Sequence, residues 1–199
     1  MSEVSADARP ATRSFEASDI AFIAVFAALI AAASITPPIP IPASPVDITL
    51  QTLAISLTAL VLGPWKGVAA VLLWLAVGTA GLPVFSGASG GVGTWLGVSA
   101  GYLLSFPIST LATGLISRRI LRSGVSKLTP LWLLLTLVVV RIVVILPIGV
   151  AGMARFAKAS FGEAFFWDLP FLPGDLVKSI VAVFVALAVF KAFPKLLHR

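Results

Sequence analysis

The chain has 199 residues, of which 59% are hydrophobic and only 11% charged. A soluble domain carries about 25% charged residues, so the composition argues against a soluble globular enzyme, and its hydrophobicity excludes intrinsic disorder. The net charge of +6, from 14 Lys and Arg over 8 Asp and Glu, reads in so apolar a chain as loop charge on the cytoplasmic side of a membrane, not as a nucleic-acid footprint. There is no cysteine, hence no disulfide, thiol nucleophile or Cys-based zinc site. The single histidine, His198, stands one residue from the end and offers no imidazole for chemistry inside a fold. No catalytic residue, metal or cofactor is expected.

Residues 1–19 are polar and mixed in charge, without the apolar core and cleavage site of a signal peptide; they read as a cytoplasmic N-terminal tail. Residues 20–193 read as an all-α membrane domain of six helices, and 194–199 as a cytoplasmic C-terminal tail. A spanning helix takes about 20 mostly apolar residues. The first stretch is Ile20 to Ile35, with Ser18 as its cap; it stops at Thr36-Pro37-Pro38, because prolines cannot continue a helix. An irregular loop from Pro38 to Pro45 follows. The second stretch, Thr49 to Leu62, ends at Gly63-Pro64. The third, Gly67 to Ala80, ends at Gly81 and Pro83. These two are short, at about 21 Å each. A re-entrant pair is the alternative to two spans, but it would leave Lys66 deep in lipid, at high cost. A glycine-rich loop from Pro83 to Gly93 leads to the fourth stretch, about Gly97 to Ile116. The fifth runs from Leu131 to about Val150, and the sixth from Gly174 to Phe193. With the N-terminus inside, ten Lys and Arg fall on inner segments and two, Arg155 and Lys158, on outer loops, a clear positive-inside bias.

Few residues are left to carry chemistry. The run Gly87-Ala88-Ser89-Gly90-Gly91-Val92-Gly93 is neither a P-loop nor a dinucleotide fingerprint. Its Gly-x-Ser-Gly hints at an intramembrane serine protease, yet no base accompanies the serine. It reads either as a flexible turn or as backbone that approaches a ligand closely. Asp175 and Lys178 are three apart at the start of the sixth stretch and share a helix face. The pair is either an N-terminal carboxylate with a snorkelling lysine or a donor–acceptor pair for a small polar ligand. Arg141, within the fifth stretch, is a counter-charge or a ligand contact. Gln51, Ser86, Ser89, Tyr102, Asp175 and Lys178 are expected to converge near the outer surface, walled by Trp74, Phe85, Trp95 and Phe171, with Gly91 in the loop. An apolar cavity with few polar groups suits a small amphipathic ligand. Ala24, Ala28 and Ala32 form a stripe of small residues that admits close helix approach, either within the fold or with a partner.

Three blocks carry a resemblance. One is Ile48-Thr49-Leu50-Gln51-Thr52-Leu53 with Leu62-Gly63-Pro64 and Gly67. The second is Gly78 to Gly87, continuing through Gly90-Gly91 to Gly101-Tyr102-Leu103 and Phe106. The third is Phe171-Leu172-Pro173-Gly174-Asp175-Leu176-Val177-Lys178. Over Ile20 to Phe193 the chain resembles BioY, the biotin-specific substrate-binding (S) component of energy-coupling factor transporters. The resemblance implies a six-helix fold in a bacterial cell (inner) membrane that takes biotin from outside, with Asp175 and Lys178 on the ligand. It implies docking through Ala24, Ala28 and Ala32 on a transmembrane coupling protein, driven by two ATPase subunits. It departs from the family pattern at Asp47, where proline is usual, at Val98-Ser99-Ala100, and at Arg141, where aromatics are expected nearby. A self-contained carrier or channel for another small solute is the alternative function.

Overall fold

A computed structural model describes residues 16–42 and 44–198 of the chain, with the side chain of His198 left aside; most of the N-terminal tail read from the sequence therefore lies outside the described residues. Helix α1 spans Ala17–Ile35, so Ser18 already lies inside the first turn and does not stand at the cap position. Helix α2 spans Gln51–Thr79 but is broken at Gly63, whose φ of 74° and ψ of −167° lie outside any helix. A left-handed φ costs glycine nothing, and Pro64 then starts a new helix at the position where its missing N–H has no bond to lose. Gly67 lies against Thr58 and Ala59, which a continuous helix would hold about 13 Å apart. Residues 51–62 and 64–79 are therefore two antiparallel helices joined by a one-residue reversal.

Helix α3 is Ala100–Arg122. Most of its buried side chains are small or hydroxylated, and Ser105, Ser109 and Ser117 return their hydroxyls to the carbonyls of Tyr102, Phe106 and Gly114. These bonds satisfy the three serine hydroxyls where α3 packs among α2, α4 and α5. Helix α4, Thr129–Val140, continues through a widened turn, Arg141–Ile145, into α5, Leu146–Ala157. The apolar run passes beyond the expected end at Val150 because Pro147 is accommodated. Proline cannot bond or pack against the carbonyl four residues back, and the N–H of Leu146 instead reaches the carbonyl of Arg141, five residues back.

Helix α6, Phe161–Asp168, was not foreseen, and it starts with a reciprocal cap. Ser160 accepts from the Glu163 N–H at 3.2 Å while Glu163 accepts from the Ser160 N–H at 2.8 Å. Helix α7 is Phe171–Ala192; Pro173 is tolerated in its first turn, where amide N–H groups have no helical partner anyway. Five continuous stretches are long and apolar enough to cross a membrane, and the break at Gly63 makes six helices of them. No named strand occurs among the described residues; Ile39 and Ile48 exchange two backbone bonds of 2.9 Å that close the loop between α1 and α2.

Large side chains such as Val25, Leu72, Leu104, Val143, Val177 and Phe184 face outwards. That would be a liability in water and is the natural surface against lipid. Inside, one cluster forms around Ile30, Trp74, Phe85 and Phe106, and a second around Leu60, Leu133, Val183 and Phe190. The first of these lies under the candidate site.

Candidate functional site

At the end of the bundle where α2 and α7 begin, a cavity of about 190 Å³ opens. Its apolar wall includes Val46, Phe85, Leu103, Phe106, Ile145 and Phe171, and its polar lining includes Thr49, Gln51, Thr52, Ser86, Ser89 and Tyr102, with Arg141, Asp175 and Lys178. Glycines shape it from behind. Any side chain at Gly149 would collide with the Tyr102 ring, and any at Gly78 with the Phe85 ring. The Tyr102 and Phe171 rings stack with centroids 6.3 Å apart.

The charges form one connected cluster. Asp175 Oδ1 accepts from the Thr52 hydroxyl at 2.8 Å and from Lys178 Nζ at 3.0 Å, while its Oδ2 accepts from Arg141 Nε at 2.6 Å. Lys178 Nζ also donates to Thr52 Oγ1 at 3.2 Å. Arg141 Nη2 donates to both oxygens of Asp168, at 3.0 and 2.8 Å, and the Tyr102 hydroxyl donates to Asp168 Oδ1 at 2.5 Å. Arg141 and Asp175 are each only 6% exposed and Asp168 is fully buried. Two cations and two anions cancel, which is what makes such burial tolerable. The cluster ties together α2, α3, α6, α7 and the widened turn after α4.

Of the residues singled out in the sequence, Gln51, Phe85, Ser86, Ser89, Tyr102, Phe171, Asp175 and Lys178 line this one cavity. Trp74, Trp95 and Gly91 do not. Trp74 is buried behind the wall, edge-on to Phe85 at 5.2 Å and near Phe106 at 6.1 Å, with its Nε1 donating to the Val84 carbonyl at 2.8 Å. Trp95 Nε1 donates to Thr79 Oγ1 at 2.8 Å. Both indoles fasten the connection between α2 and α3 to α2. Gly91, at φ 86°, takes a left-handed conformation that lets its N–H reach the Gly78 carbonyl at 2.7 Å; it anchors the loop. Ser89 donates to the Ser86 carbonyl at 2.8 Å, a turn-closing bond and not the bond of a nucleophile to a base. Asp168 was missed, and so was the pairing of Arg141 with both aspartates. The Ser160–Glu163 spacing was the available signal for α6, and with it for a buried residue at its end.

A bundle of apolar helices with one neutral, densely bonded charge cluster beside a mostly apolar cavity defines a multi-pass membrane protein with a cavity of small-molecule size at one end. The comparisons with known proteins make this particular. The chain matches the model of the BioY family over residues 7–195. It is 35% identical over 182 residues to the biotin transporter BioY of Rhizobium etli, covering 91% of this chain and 97% of the relative. It is 36% identical over 172 residues to a probable biotin transporter BioY of Pyrococcus horikoshii, covering 86% and 95%. The solved structure of the S-component for biotin from an ECF-type ABC transporter superposes with a TM-score of 0.83 at 24% identity, over 89% of this chain and 95% of that one; the two share a fold. The chain belongs to the BioY family.

Proposed function

We propose that the protein is the biotin-capturing, membrane-embedded subunit of a vitamin uptake transporter, and not an enzyme. The observation that carries this reading is the charge cluster of Asp175 and Lys178, joined by Arg141 and Asp168, at the wall of a cavity with one apolar and one polar side. Biotin has a ureido ring with two N–H groups and one carbonyl, an apolar bicycle and tail, and a carboxylate. Asp175 Oδ2 has one of its lone pairs taken, by Arg141, and a carboxylate oxygen accepts two bonds; it accepts a ureido N–H. Lys178 uses two of its three N–H donors within the protein and gives the third to the ligand. Gln51, Ser86, Ser89 and Tyr102 line the polar side, and Phe85 and Phe171 hold the bicycle and tail.

The positive-inside bias supports cytoplasmic N- and C-termini in a bacterial inner membrane and a cavity that opens outside. Ala24, Ala28 and Ala32 are exposed on α1, while Ala27, Ile30 and Ser34 face inwards. The outward stripe suits docking on a transmembrane coupling protein that works with two ATPase subunits. Labelled biotin binding to the purified protein in detergent tests the ligand, with riboflavin and thiamine as competitors. Saturable binding that neither competitor displaces is expected; displacement by either would overturn the assignment. Co-purification with a coupling protein, lost in Ala28→Trp, tests the docking face.

A further inference from the structure

The hydrogen-bond capacity of the cluster is unevenly spent. Asp168 is occupied by Tyr102 and by two contacts from Arg141. Arg141 has five N–H donors in a planar fork. Its Nε serves Asp175 and its Nη2 serves Asp168. Its Nη1 is buried and has no partner among the described residues, as is true of Gln51 Nε2. Both residues line the cavity. A buried guanidinium nitrogen left without an acceptor costs free energy, more than a neutral donor does. The unmet demand is for an acceptor atom.

The layout says which acceptor fits. Lys178 and Arg141 flank Asp175, one on each carboxylate oxygen, so the cluster presents donor, acceptor, donor in a row. A cyclic urea presents a carbonyl beside an N–H along either edge, and such an edge pairs with an adjacent donor and acceptor. The cluster is already neutral, with two cations and two anions, so a neutral carbonyl enters it without leaving a net buried charge. A ligand carboxylate would leave one.

We infer that Arg141 is a ligand-reading residue, whose Nη1 donates to the ureido carbonyl oxygen while its Nε and Nη2 hold Asp175 and Asp168 in place. This rests on the reading of the ligand as biotin. It makes Arg141, on the Oδ2 side of Asp175, the donor to that carbonyl, and leaves the third N–H of Lys178, on the Oδ1 side, for another atom of the ligand.

The test pairs two ligands with three proteins. Biotin and its thiocarbonyl analogue, in which sulfur replaces the ureido oxygen, are both neutral, and the sulfur is the poorer acceptor. Their affinities are measured by calorimetry for the wild type, R141Q and R141K. Loss of one charge-assisted bond weakens biotin by about 10- to 100-fold in R141Q, and the analogue by clearly less, so the preference for biotin shrinks. R141K keeps the positive charge against the aspartates and supplies a folded variant should R141Q fail to assemble. One ammonium cannot serve two carboxylates and the ligand, so the same shrinkage is expected there. If every variant weakens both ligands by the same factor, Arg141 only positions the aspartates and the inference is overturned, while biotin remains the ligand. If the wild type binds neither ligand, the reading of the ligand falls and takes the inference with it.

Discussion

The two ends of the bundle use the same kinds of side chain to opposite effect. At the cavity end, Arg141 and Lys178 terminate on carboxylates, and donors remain over beside a space of about 190 Å³. At the other end, Arg118 terminates on backbone. It donates to the Leu62 carbonyl at 3.2 Å, beside the reversal at Gly63, and to the carbonyls of Leu196 and Leu197 at 3.3 and 3.5 Å. Lys66 pairs with Asp19 at 2.6 Å, and only about 10 Å³ is left open there. An arginine on carbonyls fastens segments of chain whose own bonding has run out. An arginine on carboxylates inside a membrane builds a neutral, stiff platform, and here the platform borders the cavity.

The sharpest way to break this contrast is Asp175→Ala. It strips the shared anion from Arg141 and Lys178, and removing one partner of a buried pair costs about 3–5 kcal/mol. Thermal unfolding in detergent is expected at a much lower temperature, with biotin binding lost. Asp168→Asn comes next. It keeps the shape of the side chain but removes the charge that faces Arg141, leaving Arg141 and Tyr102 poorly matched. We expect about 1–3 kcal/mol of destabilisation, seen as faster hydrogen exchange in α6 and weaker biotin binding.

Arg118→Leu tests the other end. Three carbonyls lose a charged donor, and a loss of about 1–3 kcal/mol is expected. Biotin affinity should stay within twofold or so of wild type, because the residue lies outside the cavity. A large affinity loss there would show that the two ends are not separable.

The smallest effect is one of pH. The Ser160 hydroxyl and then the Ser160 N–H hold the Glu163 carboxyl below its ordinary range. A depressed folded-state value means the cap is fully stabilising above the ordinary carboxylate range and is lost as pH falls through the lowered value. Hydrogen exchange in α6, corrected for intrinsic rate, should therefore quicken on acidification to about pH 3 and lose that dependence in Glu163→Gln.

Much of this is legible in the sequence. Apolar runs punctuated by Gly63-Pro64, Pro37-Pro38 and Pro194 mark six helices, because proline and glycine act through the backbone and need no partner. Asp175 and Lys178 were legible because three residues of helix put them on one face. The Arg141 pairs were not, since they join residues 27 and 34 apart in sequence and no local period encodes such a meeting. The place of Trp74 was hidden for a related reason. A tryptophan in mid-helix suits a cavity wall or the layer behind it, and the Val84 carbonyl, in a loop, decides between them. The course of α5 past Pro147 required knowing that the preceding turn would widen.

The central claim is that the cluster around Asp175 and Lys178 is where biotin binds. Titration of labelled biotin against purified wild type, Asp175→Asn and Lys178→Ala measures it directly. The account predicts one saturable site in the wild type and a loss of affinity of about tenfold or more in each variant. Unchanged affinity in both variants would contradict it.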